Sequence, residues 1–220
     1  ITLSAEVCPE IREYDRMSTA CANAYVQPMM AGYLKQLEDG LQTAGVGCPL
    51  LLMMSSGGVT TVETAVRLPI RLVESGPAGG AILARDIARE NDLAKVLSFD
   101  MGGTTAKITL IDDFVPHIAR SFEVARMYRF QKGSGLPLRI PVIDMVEIGA
   151  GGGSIADVDA MQRIRVGPES AGAVPGPACY GNGGLGATVT DADMVLGRID
   201  PAHFAGGQVA LQPDRAMVAV

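Results

Sequence analysis

Tryptophan is absent from the 220 residues, and aromatic residues of all kinds make up only 5%. A platform that stacks unpaired bases needs such rings, so that class of function is excluded. Positive charge is also in deficit. The formal net charge is −6 at pH 7, which argues against a non-specific hold on a nucleic-acid backbone. Cysteine is scarce: Cys8, Cys21, Cys48 and Cys179 form no C-x-x-C pair, and only His117 and His203 could join them. A structural zinc site is therefore not expected, and the thiols read as reduced in a cytoplasmic protein. No apolar run reaches the length of a membrane span, and the start lacks a signal-peptide pattern. No Walker A sequence occurs. Gly149 and Gly151 fit the first two positions of a dinucleotide fingerprint, but Ser154 stands at the third.

What the chain has in quantity is glycine. Most of its 27 glycines cluster at 57–58, 76–80, 102–103, 149–153, 181–186 and 206–207, between apolar segments. With 48% hydrophobic and 19% charged residues the chain can bury a core, so these clusters read as tight turns around it, several of them open to close ligand approach. The stretch 97–112 organises the rest. An apolar strand ends at Asp100, Gly102-Gly103 let the backbone reverse, and an alternating strand follows through Ile108 and Leu110. The tip of this hairpin carries Asp100, Thr104 and Thr105. Glycine amides and threonine hydroxyls suit a phosphate group, and Asp100 suits a Mg²⁺ ion that would accompany it. An ordinary hairpin with a surface aspartate has the same local sequence.

In chain order, residues 1–4 read as a strand and Pro9-Glu10 as the opening of a helix. Tyr25, Met29, Tyr33, Leu37 and Leu41 form one apolar helical stripe expected to face the core, with Pro28 breaking or bending the helix. Residues 50–54 read as a central strand ending in Ser55-Ser56-Gly57-Gly58, residues 61–66 as a short helix, and residues 70–73 as another strand. A glycine-rich turn at 75–80 then leads into a helix over 81–91. It reads either as an anion site at a helix N-terminus or as close packing on a sheet. Residues 114–126 read as a meander, in a region made basic by Arg120, Arg126, Arg129, Lys132 and Arg139, with an exposed loop at 131–135.

The apolar run 140–149 holds two buried-looking acids, Asp144 and Glu147, which are candidates for proton transfer or metal binding, or for plain hydrogen-bond acceptance from turn amides. Gly151-Gly152-Gly153 mark a place where a ligand or another backbone passes close by. Residues 157–166 read as a strand pair, followed by a long irregular segment. Cys179 in that segment reads as a structural thiol rather than a nucleophile. Thr190 is expected to cap a helix from Asp191 to about Arg198, with Asp191 and Asp193 favoured by the helix dipole. Pro213 opens a last helix. The missing initiator methionine and the unfinished final helix suggest a cut chain.

Asp100-Met101-Gly102-Gly103-Thr104-Thr105 resembles the phosphate hairpin of the actin and sugar-kinase group of ATPases. More narrowly, residues 4–14, 55–58, 75–80, 100–105, 149–156, 167–184 and 188–192 resemble, in family order, segments of the hydantoinase A / 5-oxoprolinase family. The resemblance implies one hydantoinase A-type domain over residues 1–220, part of a longer chain cut at both ends. The implied fold class is α/β, an actin-like ATPase domain with a ribonuclease-H-like core of mixed sheet flanked by helices. It implies ATP and Mg²⁺ as cofactors, and opening of a cyclic amide (hydantoin, N-methylhydantoin or 5-oxoproline) through phosphorylation of the amide oxygen. The alternative is a non-catalytic ATP-binding or scaffold subunit, as in ATP-dependent ketone carboxylation. A hydantoinase B-type partner subunit or domain and an oligomeric assembly are also implied, with no nucleic acid or membrane.

Phosphate contacts carry over to Gly102, Gly103, Thr104 and Thr105, and a nucleotide-facing turn to Gly151, Gly152 and Gly153. Asp100 carries over as metal ligand and catalytic residue, and Asp144 stands as the second catalytic candidate. The chain departs from the family pattern in three places. A second Asp-x-Gly-Gly-Thr hairpin is missing, Ala106-Lys107 stand where many relatives have Thr-Asp, and Glu147 stands where relatives often have His. With half of the phosphate clamp missing, these 220 residues alone are expected to bind nucleotide poorly and to be inactive.

Overall fold

The computed structural model describes every residue except 126 and 128–132, so Arg126, Arg129, Lys132 and the start of the loop at 131–135 lie outside the described residues. The chain divides into two compact units, Ile1–Ser98 with Thr109–Met145, and Phe99–Ile108 with Val146–Val220.

The first unit opens with α1 (Ser4–Val7) and the 31-residue α2 (Glu13–Thr43). Then come β1 (Leu51–Met53), β2 (Val59–Thr61), α3 (Val62–Arg67), a 3₁₀ turn over Pro69–Leu72, and α4 (Ser75–Glu90). The bases of β3 (Lys95–Met101) and β4 (Ala106–Asp112) follow, then β5 (Val115–Pro116), β6 (Ile118–Ala119), β7 (Phe122–Val124), β8 (Leu136–Leu138) and β9 (Val142–Ile143). Antiparallel ladders join β1 to β2, β4 to β5, β6 to β9 and β7 to β8. Val7, Leu68, Ile70, Leu138, Ile140 and Val142 form the core. Each such aliphatic side chain contributes about 1.5–3 kcal/mol on full burial.

Several expectations are corrected here. Residues 1–4 are not a strand; Ser4 starts α1 instead, and α2 begins at Glu13 rather than at Pro9-Glu10. Pro28 does not split α2, because a proline removes only one donor from a ladder that the remaining turns sustain. The first part of the apolar stripe does not face the core of this unit, whereas Leu37 and Leu41 further along it are half-buried. Tyr25, Met29 and Tyr33 are 86%, 70% and 56% exposed, while the opposite face buries Thr19, Ala20, Asn23 and Leu34. The run 50–54 gives a strand paired with β2 alone among the described residues, not a central strand.

Residues 70–73 are no strand either. Pro69 starts a 3₁₀ turn, and the Asn23 side chain on α2 holds that turn by accepting from Ile70 N–H (3.2 Å) and donating to Arg67 O (3.1 Å). The glycine-rich stretch 75–80 is not a turn before a helix but the first turns of α4, whose buried Ala78 and Ala81 pack with Ile143.

The second unit contains the tip of the β3–β4 hairpin, β10 (Val146–Ile148), β11 (Ser154–Val158) and β12 (Ile164–Ser170). A 3₁₀ turn over Ala178–Tyr180, α5 (Val189–Val195), a second over Phe204–Gly207 and α6 (Pro213–Ala219) complete it. β10 pairs antiparallel with the tip half of β4, and β11 with β12. Cys179, Met194, Leu211 and Ala216 form the core, with the rings of Tyr180 and Phe204 5.8 Å apart beside it. No helix of the described residues is long and apolar enough to cross a membrane.

Candidate functional site

The hairpin tip is built by backbone contact. Gly102 N–H donates to Thr105 O (2.9 Å) and closes the turn. Gly152 N–H then donates to Gly102 O (2.9 Å), and Gly153 N–H to Gly103 O (2.7 Å). A Cβ on Gly151 would lie 2.6 Å from Gly102 O and from Thr104 N, so only glycine lets these two backbones meet. The glycine triplet therefore clamps the hairpin tip. Of the two visitors the sequence leaves open at 151–153, a ligand or another backbone, the hairpin's own backbone is the one in place.

The triplet is itself anchored. Gly151 N–H donates to Ser154 Oγ (2.9 Å), and Ala171 N–H donates to Gly153 O (2.8 Å). Thr190 donates twice to Gly152 O, from its N–H (2.9 Å) and from Oγ1 (2.8 Å). Thr190 thus tethers α5 to the triplet and is not that helix's cap. The cap is Thr188, whose Oγ1 accepts from Asp191 N–H (3.2 Å) while the Asp191 carboxylate accepts from Thr188 N–H (3.1 Å), a capping box.

Asp191 does more than favour the helix dipole. It is fully buried and also accepts from Ala178 N–H (3.1 Å), Cys179 N–H (2.8 Å) and Thr188 Oγ1 (2.7 Å). Burial pushes its pKa up, but these amide and hydroxyl donors outweigh burial and hold the carboxyl below the usual carboxylate range. Burial and the neighbouring Asp191 push the Cys179 thiol up to about 12, so it stays protonated at neutral pH, as a structural thiol would.

The rigid tip leaves donors free. Among the described residues no acceptor pairs with the N–H groups of Gly103, Thr104 and Thr105, nor with the hydroxyls of the two threonines. Gly103 and Thr104 are exposed and Thr105 is half-buried. Successive unpaired amides beside hydroxyls form an anion-binding concavity.

Asp100 is exposed on β3, two residues before Gly102, in the same unit as the tip. Among the described residues no group of three His, Cys, Asp or Glu side chains is placed to hold a metal ion. A Mg²⁺ ion needs no such group when phosphate oxygens and water complete its shell, so a single exposed carboxylate such as Asp100 suffices for it. Asp144 and Glu147 are both exposed rather than buried, and Asp144 belongs to the first unit, where its N–H donates to His117 O (2.8 Å). The structure thus gathers Gly102, Gly103, Thr104, Thr105, Gly151, Gly152, Gly153 and Asp100 in one unit and leaves Asp144 in the other.

Two of the family departures become one feature. Glu147 on β10 stands directly opposite Lys107 on β4. Opposite charges so placed favour the ladder by roughly 0.2–1 kcal/mol. Sequence reasoning missed that register, and it missed Thr190 and Asp191 as supports. The signal for the supports was present: two threonines and an aspartate after a glycine-rich loop.

A family model described as hydantoinase/oxoprolinase matches residues 16–220. The chain is 35% identical, over 98% of its length, to the caprolactamase subunit alpha of Pseudomonas jessenii, and covers 30% of that protein. It is 34% identical to the 5-oxoprolinase of Saccharomyces cerevisiae, over 93% of the chain and 15% of the relative. Among solved structures, a nucleotide-free acetone carboxylase superposes with a TM-score of 0.75 at 28% identity, covering 98% of this chain and 29% of that one. The chain thus spans less than a third of the length of each.

Proposed function

The chain belongs to the hydantoinase/oxoprolinase family and has the α/β fold of actin-like ATPases, and on that premise we propose that it forms the phosphate-handling part of an ATP-dependent enzyme that opens cyclic amides. The observation that carries this reading is the hairpin tip: three amides and two threonine hydroxyls without an acceptor among the described residues, held by the glycine triplet. Phosphoryl transfer asks a protein chiefly for position and electrostatic stabilisation, and such a tip supplies both. The amides of Gly103, Thr104 and Thr105 hold the transferring phosphoryl group.

The substrate amide oxygen takes the γ-phosphoryl group as its bond to ADP breaks. Water then adds to the activated carbon and the ring C–N bond breaks to leave an acyl phosphate, which a second water cleaves to the ring-opened carboxylate and inorganic phosphate. Asp100 holds Mg²⁺, which when bound neutralises charge on the phosphoryl oxygens. Asp144 is assigned the proton transfer to or from water. Gly151, Gly152 and Gly153 act on the nucleotide through the tip they clamp.

The subunit names of relatives support a multi-subunit assembly, with a hydantoinase B-type partner as the finer reading. The exposed ridge of Met17, Tyr25, Met29 and Tyr33 on α2 supports a covering surface of that kind. Four free cysteines support a cytoplasmic setting.

A second reading is an ATP-binding subunit of a ketone carboxylase, favoured by the superposition on acetone carboxylase. The test measures ADP release by the full-length protein with its partner. Release stimulated by a lactam, with ring-opened product, supports ring opening. Release that needs a ketone and bicarbonate instead transfers the assignment to the second reading. No stimulation by either overturns both.

A further inference from the structure

The clamp on the hairpin tip has a direction. In a peptide group the carbonyl of one residue and the N–H of the next are one conjugated unit, so a donor on the carbonyl strengthens that N–H as a donor. Two chains of such groups run through the glycine triplet. In the first, Ser154 N–H donates to Gly151 O (2.9 Å), and the N–H of the same peptide, on Gly152, donates to Gly102 O (2.9 Å). The peptide that carries Gly102 O ends in Gly103 N–H, which has no acceptor among the described residues. In the second, Thr190 N–H (2.9 Å) and Oγ1 (2.8 Å) donate to Gly152 O, and the N–H of the same peptide, on Gly153, donates to Gly103 O (2.7 Å). That chain ends in Thr104 N–H, likewise without an acceptor among the described residues. The third free amide differs: Thr105 N–H shares its peptide with Thr104 O, and no donor among the described residues reaches that carbonyl.

The second chain is the more strongly driven. Its first carbonyl, Gly152 O, has both lone pairs engaged, and its clamp bond is the shorter of the two, 2.7 Å against 2.9 Å. The hydroxyl that supplies the extra donor is buried, since Thr190 is only 8% exposed. Residue 152 must be glycine for that hydroxyl to come so near, because a Cβ there would lie 2.7 Å from Thr190 Oγ1. Nothing in α5 itself requires the bond, because Thr188 and Asp191 already cap the helix. A buried hydroxyl that its own helix does not need is therefore spent on the peptide behind the tip.

We propose that Thr190 is a positioning residue for phosphate binding: through two successive peptide groups it orients and strengthens the Thr104 N–H that meets the anion. Ser154 N–H acts in the same way on Gly103 N–H. The tip therefore carries a ranked set of donors, with Thr104 and then Gly103 ahead of Thr105. Donors fixed before the anion arrives need no reorganisation when charge builds on it, which is where such a chain has its effect. The inference rests on the reading of the tip as the nucleotide-phosphate site. Its own content is that a residue on α5, two peptide groups away from the anion, sets how strongly the tip holds it.

The test uses the full-length protein and three variants. Thr190→Val removes the hydroxyl and keeps the shape and the N–H, Thr190→Ser keeps the hydroxyl, and Leu211→Ala loosens the core of the same unit away from the chain of bonds. Each is titrated with Mg-ATP by calorimetry well below its melting temperature. The expected result is affinity weakened roughly two- to fivefold in Thr190→Val and restored in Thr190→Ser. Leu211→Ala should melt lower and bind as the wild type does. Threonine-selective ¹⁵N spectra, assigned with Thr104→Ser and Thr105→Ser, give a second readout. Mg-ATP should move the Thr104 amide further than the Thr105 amide, and Thr190→Val should shrink the Thr104 movement. Wild-type affinity in Thr190→Val, even with a lowered melting temperature, overturns the proposal and leaves Thr190 a packing residue. Serine as weak as valine, Leu211→Ala as weak as Thr190→Val, or a larger movement at Thr105 also overturns it. Wild type that binds no Mg-ATP defeats the phosphate reading of the tip and this proposal together. Wild type that loses affinity with Asp100→Ala but not with Thr190→Val defeats this proposal alone.

Discussion

Replacing Gly151 by alanine tests the clamp on the hairpin tip. The new Cβ would stand 2.6 Å from Gly102 O, 2.6 Å from Thr104 N and 2.7 Å from Thr104 C. All three are backbone atoms, so no rotamer change relieves the overlap. Comfortable carbon–oxygen separation begins near about 3.4 Å, so the tip must retreat by about 0.8 Å. The bond from Gly152 N–H to Gly102 O, 2.9 Å in the native tip, would stretch to about 3.7 Å and be lost. Overpacking of this kind costs roughly 1–3 kcal/mol, and each of the two clamp bonds roughly 0.5–1.5 kcal/mol. The sum is a loss of about 2–6 kcal/mol, or about 5–20 °C in Tm for a chain of this size.

Gly103→Ala is the internal control. Nothing lies within 4 Å of its Cβ position, so stability should change by less than about 1 kcal/mol. A methyl group at the tip should still weaken nucleotide binding. The assay is thermal unfolding by circular dichroism, alongside Mg-ATP titration of the full-length protein. A Gly151→Ala variant that melts within 1–2 °C of wild type, on roughly the same scale as the control, would refute the clamp.

Asp191→Asn should lower stability by about 2–4 kcal/mol in urea denaturation, since a neutral amide cannot serve four buried donors as the carboxylate does. The same group sets an acid limit. Its folded pKa lies below the unfolded value of about 3.8, so its contribution is present in full well above pH 4 and disappears as pH falls through the folded pKa. The variant should lose that part of the acid slope; an unchanged slope contradicts the assignment. Labelling of the native protein with iodoacetamide should modify the exposed Cys21 and Cys48 quickly and spare Cys8 and Cys179; rapid loss of the Cys179 thiol would contradict its burial. A double-mutant cycle on Lys107 and Glu147 should give a coupling of about 0.2–1 kcal/mol, and zero coupling would dismiss the cross-strand pair.

The hairpin was legible because its signal is local: an apolar run, Asp100, two glycines and an alternating run. Close approach of some backbone at 151–153 was legible too, since three adjacent glycines have few other uses. Which backbone approached was not, because Gly102 and Gly151 are far apart in sequence. The strand expected at 70–73 failed for a similar reason. Its apolar residues suit a strand, but Asn23, far earlier in the chain, takes up the backbone groups that a ladder would use. The cap on α5 was misplaced by two residues because Thr188 and Thr190 each precede an acid-rich turn. The choice between them depends on Asp191 reaching Ala178 and Cys179. The stripe on α2 was read as core because apolar residues at helical spacing usually face one. In this chain Tyr25, Met29 and Tyr33 are exposed, and Thr19, Ala20, Asn23 and Leu34 do the packing.

The central claim is that the hairpin tip binds the phosphates of ATP. The most direct measurement is a calorimetric titration of Mg-ATP into the full-length protein and into Asp100→Ala. The account predicts saturable binding by the wild type, with magnesium-dependent affinity reduced at least roughly tenfold in Asp100→Ala while the melting temperature is unchanged. Wild-type protein that gives no heat and gains no thermal protection from Mg-ATP would contradict the account.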